Sequence, residues 1–268
     1  MVDRGFIEQL ADVWSDLGRL GASLSPEDWG RDTECPGWTV QDQLAHIVGT
    51  ESILLGRTAE GPAPDVPHVH NAIGEMNEAW IAPRRNRSGA EVLAEFTEVT
   101  ALRLDALRQM DDERLTTVGP SPIGDVPYVV FMNVRVMDCW VHDLDMRQAL
   151  GRPGALEGPA ATSATDRLAS SFGYVVGKRV APPDGTTVVL RIVGPQDRTL
   201  AVRMDGGRGA DVDPSESATV TLTTDVATFT RLGGGRVGAD AVLAQGLVAL
   251  DGDGHLGAAV LGAMNVMP

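Results

Sequence analysis

The sequence contains the run Val134-Arg135-Val136-Met137-Asp138-Cys139-Trp140-Val141-His142-Asp143-Leu144-Asp145-Met146-Arg147. Its apolar side chains recur at steps of three and four residues, which predicts an α-helix that begins at Pro127 and is stopped by Gly151. In such a helix Asp138 and His142 lie one turn apart and project from the same face. A carboxylate and an imidazole in this arrangement are two potential ligands for a divalent metal ion.

A second predicted helix offers a third ligand. Thr39 and Asp42 resemble a capping box, and the helix that they open contains His46 and runs to about Gly56. Three protein ligands leave a fourth position open, which distinguishes a catalytic zinc site from a structural one. The two helices therefore predict a metal site with an open position.

The same residues also have simpler explanations. Asp-x-x-x-His occurs often by chance, and His142 would equally pair with Asp143 or Asp145 on a solvated helix. His46 points to the side of the apolar face of its helix, so it is either buried on a second flank or exposed. Glu51 falls within that apolar face, where an unpaired carboxylate is costly, so we expect it to orient an imidazole or to be otherwise paired.

The composition limits the class of protein. The chain has 268 residues, of which 43% are hydrophobic, so two domains with a sizeable core are possible. Its formal charge of −15 disfavours nucleic acid and anionic membranes as partners. Cys35 and Cys139 do not make a disulfide framework, and Cys139 is predicted to be a small buried residue. We find no charged, apolar leader and no long apolar run, and therefore expect a soluble cytoplasmic protein, monomeric or a small homo-oligomer.

The two halves of the chain differ in pattern. Residues 1–152 predict four main helices in an up-down bundle, with a capping box at Ser88 and Glu91 and a further short helix near residues 71–80. The second half alternates strand-like and helical stretches, which predicts an α+β domain over residues 153–268. Its predicted strands cover residues 186–193, 199–204, 218–223 and 247–250, and its predicted helices cover residues 160–180, 225–233 and 254–264.

Two motifs resemble a known family. They are Pro36-Gly37-Trp38-Thr39-Val40-Gln41-Asp42-Gln43-Leu44-Ala45-His46 and Val141-His142-Asp143-Leu144-Asp145-Met146-Arg147-Gln148-Ala149-Leu150-Gly151-Arg152. They are similar to motifs of the mycothiol-dependent maleylpyruvate isomerase-like proteins, and residues 229–236 and 248–256 resemble the second domain of that family. The resemblance implies a DinB-like four-helix bundle followed by a small α+β domain like that of sterol carrier proteins.

The resemblance also implies a ligand set. Members bind a divalent metal, typically zinc, through a histidine of the second helix and a Glu-x-x-x-His pair, which correspond here to His46, Asp138 and His142. This chain has Asp138 where the family usually has glutamate, which shortens the side chain by roughly 1.5 Å. Glu51 and Asp145 are then expected to orient the ligands by contacting them without binding the metal themselves.

An activity follows from the same resemblance. Mycothiol would be the thiol cosubstrate, and a small electrophile would undergo sulfur transfer or thiol-assisted cis–trans isomerisation. Arg236, with Arg231 one turn away, matches an arginine of the second domain that is associated with thiol-cofactor binding or catalysis. Two alternatives stay open: a metal hydrolase in which Glu51 serves as base, and a non-catalytic protein that binds a small ligand.

Overall fold

The computed structural model describes residues 2–215 and 217–267, and its internal contacts divide the chain into two units. The first unit ends at Ala155 and the second is Leu156–Met267. The sequence predicts this boundary at residues 152 and 153. The segment after residue 152 stays with the first unit, where the indole Nε1 of Trp140 donates a hydrogen bond to the carbonyl of Ala155 at 2.7 Å.

The first unit is helical. Its helices are α1 (Gly5–Ala22), α2 (Pro26–Trp29), α3 (Val40–Leu54), α4 (Ala72–Arg84), α5 (Gly89–Gln109), α6 (Asp112–Thr116) and α7 (Tyr128–Leu150). A short antiparallel pair, β1 (Val118–Gly119) and β2 (Val126–Pro127), precedes α7. In the described part of this unit α1, α3, α5 and α7 pack in a ring, because α1 and α3 each contact both α5 and α7. This arrangement confirms the predicted helical bundle.

Local sequence signals explain where these helices begin and end. Thr39 and Asp42 form the predicted capping box at the start of α3, and Ser88 and Glu91 form another at the start of α5. Helix α7 ends at Gly151, whose φ of 63° places it in the left-handed region that closes a helix without a Cβ penalty. Local sequence signals thus set the start of α3 and the end of α7, the two helices that carry the candidate ligands.

Helices α3 and α7 are buried on more than one flank. Buried residues, many of them apolar, lie on several sides of each helix, which is typical of helices at the centre of a bundle. Polar side chains of both helices consequently share the interior, and His46 is buried on the second flank of α3 instead of being exposed. This shared interior is where the candidate site forms.

The second unit is an α+β domain, as predicted. Its helices are α8 (Gly158–Ala169), α9 (Phe172–Tyr174), the π-helix Val175–Val180, α10 (Val226–Gly233), α11 (Ala239–Ala244) and α12 (Gly254–Gly262). Its strands are β3 (Thr187–Val193), β4 (Arg198–Asp205), β5 (Arg208–Asp211), β6 (Val220–Asp225) and β7 (Val248–Gly252). Within the described residues they form a five-stranded mixed sheet in the order β5-β4-β3-β6-β7, in which only the β3–β6 pair is parallel.

Three features of the second unit differ from the sequence pattern. Strand β5 and helix α11 are too short to stand out by periodicity, and the helical stretch over residues 160–180 is broken into α8, α9 and the π-helix. The π-helix passes close to β5, since a Cβ on Gly177 would lie 2.6 Å from the amide nitrogen of Gly209.

In neither unit does a described helix combine the length and hydrophobicity needed to cross a bilayer.

Candidate metal centre

Three side chains from two helices meet in the first unit. Helix α3 contributes His46, and α7 contributes Asp138 and His142. The Nε2 atom of His46 lies 3.1 Å from Asp138 Oδ2, and the Nε2 atom of His142 lies 3.6 Å from Asp138 Oδ1. One ligand atom from each residue lies within 4.8 Å of the other two. The predicted ligands are therefore brought together.

The geometry suits a divalent ion. A tetrahedral zinc with bonds of 2.0–2.2 Å holds its ligand atoms about 3.3–3.6 Å apart. The imidazole nitrogens of His46 and His142 lie 3.1 Å and 3.6 Å from oxygens of Asp138, close to this range. Both imidazoles are buried, whereas the side chain of Asp138 is 20% exposed, so the cluster is accessible from the side of the carboxylate. Two imidazole nitrogens and one carboxylate oxygen are a donor set that zinc accepts, with a fourth position available.

The protonation states of His46 and Asp138 suit metal binding. Burial lowers the pKa of His46, which keeps this imidazole neutral with a lone pair available. Burial alone would raise the pKa of Asp138, but the Arg135 guanidinium and the two imidazoles outweigh it and hold this pKa well below its usual range. A neutral imidazole and an ionised carboxylate are the forms that coordinate a metal.

His142 lies between two carboxylates. Its Nε2 faces Asp138, and its Nδ1 lies 3.3 Å from Asp145 Oδ2, at ion-pair distance but without hydrogen-bond alignment. Burial alone would lower the pKa of His142, but Asp138 and Asp145 outweigh it and raise this pKa. Asp145 therefore lies beside the ring nitrogen of His142 that does not face Asp138, and its role in orienting this imidazole stays a prediction.

Trp38 forms one wall of the cluster. Its ring centroid lies 5.2 Å from that of His46 and 5.8 Å from that of His142, with ring planes tilted by 35° and 34°. The indole Nε1 donates a hydrogen bond to Glu78 Oε1 at 3.0 Å, which fixes the orientation of the ring. This buried indole keeps water away from one side of both imidazoles.

The carboxylate that holds Trp38 belongs to a buried network. Glu78 accepts hydrogen bonds from Arg85 Nη1 at 2.8 Å and Nη2 at 3.0 Å, and His68 Nε2 lies 2.9 Å from its Oε1. Burial alone would raise the pKa of Glu78, but its hydrogen bonds with Arg85 and His68 outweigh it and lower this pKa. The ring of His68 packs against Gly37, where a Cβ would lie 2.3 Å from His68 Nδ1.

Glu51 does not contact an imidazole. It lies between two guanidiniums, accepting from Arg103 Nε at 2.9 Å on Oε2 and from Arg135 Nε at 2.9 Å on Oε1. Arg135 Nη1 in turn donates to Asp138 Oδ2, so Glu51 reaches the ligand set only through Arg135. This corrects the expectation that Glu51 orients a histidine, and a carboxylate paired with two arginines is also poorly suited to act as a general base.

Cys139 is a buried side chain, as the sequence predicts. Its sulfur accepts hydrogen bonds from the indole Nε1 of Trp14 at 3.3 Å and from Arg135 Nη2 at 3.4 Å. Burial raises the pKa of this thiol to about 12. Cys139 is therefore a protonated packing residue and not a nucleophile.

Arg231 and Arg236 belong to the second unit. Arg231 lies in the last turn of α10, and Arg236 follows the turn after that helix, where its Nη1 donates to the carbonyl of Gly234 at 2.6 Å. Both side chains are half-buried. Their assignment to thiol binding or catalysis stays a prediction.

Three residues around the cluster are not identified by the sequence pattern. Arg135 lies three residues before Asp138 on the same helical face, so its contact with Asp138 could have been predicted from helical spacing. Trp38 belongs to the motif that opens α3, but nothing in its spacing indicates contact with His142 on another helix. Arg103 comes from α5, and no local pattern connects it with Glu51.

Comparisons with known proteins agree with this architecture. Residues 10–147 match the model of the mycothiol maleylpyruvate isomerase N-terminal domain, and residues 174–265 match that of the SCP-2 sterol transfer family. Uncharacterized proteins from two strains of Mycobacterium tuberculosis are 28% identical to this chain over 223 residues, in a match that covers 74% of this chain and 77% of each relative.

Solved structures show the same fold. The crystal structure of a mutant mycothiol-dependent maleylpyruvate isomerase covers 92% of each chain, with a TM-score of 0.57 and 16% sequence identity. A second crystal structure of a mycothiol-dependent maleylpyruvate isomerase covers 87% of this chain and 89% of its own, with a TM-score of 0.54 and 16% identity. At this identity the likeness concerns the fold.

Proposed function

Because the chain belongs to the mycothiol maleylpyruvate isomerase N-terminal domain family and carries an SCP-2 domain after it, we propose that it is a metal-dependent enzyme using a low-molecular-weight thiol. The thiol is mycothiol, the metal is zinc, and the second substrate is a small electrophile. The observation that carries this proposal is the convergence of His46, Asp138 and His142 with ligand-like separations.

A divalent ion held by His46, Asp138 and His142 would place positive charge at the open position. It would favour the thiolate form of a thiol bound there and would polarise a carbonyl of the electrophile. A thiolate is the nucleophile that the proposed reaction needs.

Two outcomes of sulfur addition fit this arrangement. Addition of the thiolate to an electrophilic carbon, followed by protonation from solvent, gives a thioether and makes the enzyme a transferase. Addition, rotation about the carbon–carbon bond and elimination return the thiolate and make the enzyme a cis–trans isomerase. In both, Trp38 shields the imidazoles from water on one side, and the carboxylate of Asp145 lies 3.3 Å from His142 Nδ1.

The second unit has a proposed part in the same reaction. Arg236 is proposed to bind a carboxylate of the thiol or of the electrophile, because a guanidinium fork matches a carboxylate at two points. Arg231, one turn earlier, is proposed to bind the same group. A hydrolase is the second candidate, since two imidazoles and a carboxylate with an open position are also the ligand set of zinc hydrolases.

Removal of one ligand tests the metal site. We expect the purified protein to contain about one zinc per chain and the His142→Ala variant to contain less than about a tenth of that, because two remaining ligands hold zinc weakly. The measurement is elemental analysis after exhaustive dialysis. His70→Ala is the matched control, because His70 is an exposed histidine of the same unit, and this variant should keep its zinc. Equal zinc content in both variants would remove His142 from the site.

Omission of the thiol distinguishes the candidate reactions. We expect turnover of a panel of electrophiles, including unsaturated dicarboxylates and epoxides, to require mycothiol and to fall to background without it. The measurement is product formation by mass spectrometry, in which a thioether identifies transfer and a cis–trans change identifies isomerisation. Turnover of ester or amide substrates without thiol would favour the hydrolase. Zinc binding without turnover of any substrate would favour a binding protein.

A further inference from the structure

The guanidinium of Arg135 lies between two carboxylates. Its Nε and Nη2 atoms lie 2.9 Å and 2.8 Å from Glu51 Oε1, and its Nη1 donates to Asp138 Oδ2. One edge of the planar group therefore faces Glu51, and the other end reaches the candidate ligand. Because the donors of a planar guanidinium point in fixed directions, the position of Glu51 restricts the direction in which Arg135 donates to Asp138.

The opposite end of this chain of contacts is also fixed. Glu51 Oε2 accepts from Arg103 Nε at 2.9 Å, and Arg103 Nη2 donates to the hydroxyl of Tyr128 at 2.9 Å. Arg103 and Glu51 are fully buried, and Arg135 is 3% exposed. The contacts join α3, α5 and α7, so Arg135 has no room to follow Asp138 if the carboxylate turns.

The two oxygens of Asp138 consequently have different surroundings. Oδ2 accepts from Arg135 Nη1 and lies 3.1 Å from His46 Nε2. Oδ1 faces His142 Nε2 at 3.6 Å. We propose that Arg135 is a positioning residue, which holds Oδ2 of Asp138 by a hydrogen bond and thereby fixes the carboxylate so that it binds a divalent ion through one oxygen and not through both.

This role rests on the proposed metal site and adds a constraint to it. A carboxylate that binds through both oxygens occupies two coordination positions, whereas a carboxylate that binds through one oxygen keeps the ion four-coordinate with a position for substrate. Arg135 supplies the partner that holds the Asp138 carboxylate from three residues away on the same helix.

Cobalt substitution tests the role of Arg135. We expect Arg135→Gln and Arg135→Lys to weaken binding of Co²⁺ and Zn²⁺ by about 10-fold or more, because loss of a partner that orients a ligand typically costs 10–100-fold in affinity. We also expect the visible absorption of bound Co²⁺ to lose intensity in both variants, because release of Oδ2 raises the coordination number above four. Neither lysine nor glutamine can hold Glu51 and Asp138 together in the fork geometry.

The same 268-residue chain with Arg147→Gln is the matched control. Arg147 donates to the buried carboxylate of Asp143 at 2.8 Å on the same helix, so its loss removes a similar ion pair. We expect the control to lower stability while leaving the metal affinity and the cobalt spectrum as in the wild type. Metal affinity is measured by competition with a chelator of known affinity, and folding by circular dichroism.

Each other outcome has one meaning. Wild-type spectra and affinities in both Arg135 variants would overturn the role of Arg135 while leaving the metal site in place. A wild-type spectrum in Arg135→Lys alone would show that charge suffices and would overturn positioning by the fork. Absence of stoichiometric Co²⁺ or Zn²⁺ in the wild-type protein would instead overturn the proposed function itself.

Discussion

Replacement of Glu51 by leucine is expected to destabilise the first unit by about 3–5 kcal/mol, because it leaves the buried guanidinium of Arg103 without a carboxylate. Arg103 would keep only the Tyr128 hydroxyl and the Met132 sulfur as partners. For a unit of this size the loss corresponds to a fall in melting temperature of about 6–20 °C. The measurement is thermal and urea denaturation followed by circular dichroism.

Two further variants show that the loss comes from the unpaired charge. Glu98→Gln removes an exposed glutamate whose contact with Arg57 is 3.8 Å, and it should cost less than about 1 kcal/mol. The double variant Glu51→Leu with Arg103→Met removes both partners and should be more stable than Glu51→Leu alone, since Arg135 keeps Asp138. If Glu51→Leu alone costs less than about 1 kcal/mol, the cluster is hydrated and not a buried ion network.

Replacement of Asp138 by asparagine is expected to weaken zinc binding by at least about 100-fold, because loss of a ligand costs more than loss of a partner that orients one. The amide keeps the shape of the side chain but carries no negative charge, and Arg135 keeps Glu51. The fold should therefore persist while the site fails. The measurement is zinc affinity by competition with a chelator, together with turnover in the presence of mycothiol.

Two further variants, Asp143→Asn and Asp138→Glu, make this test specific. Asp143→Asn changes another buried aspartate of α7 that pairs with Arg147, and it should leave zinc affinity unchanged. Asp138→Glu retains the charge and should bind zinc far more tightly than Asp138→Asn. Equal zinc affinity in Asp138→Asn and the wild type would mean that the two histidines find their other ligands elsewhere.

Substitutions of Glu51 and Asp138 are expected to affect different properties of the protein. Glu51 acts on stability, because it neutralises guanidiniums that water does not reach. Asp138 is expected to act on metal binding, because it is half-buried and its oxygens face both imidazoles. Arg135 connects the two, so its variants should affect both properties.

Local signals in the sequence are sufficient for much of the fold. The capping boxes at Thr39 and Ser88 identify the starts of α3 and α5, and Gly151 identifies the end of α7, because each depends only on neighbouring residues. The spacing of Asp138 and His142 is likewise a property of one helix. Short elements such as β5 and α11 are missed, since four to six residues show too little periodicity.

The long helices, the α+β character of the second half and the candidate ligand pair on α7 could therefore be predicted from the sequence. The folded chain alone shows that His46 is buried beside that pair, that Trp38 covers both imidazoles, and that Glu51 pairs with Arg103 and Arg135. These contacts join residues that are far apart along the chain. Helical periodicity orders side chains within one helix, whereas contacts between α3, α5 and α7 depend on how buried faces pack and how their charges are neutralised.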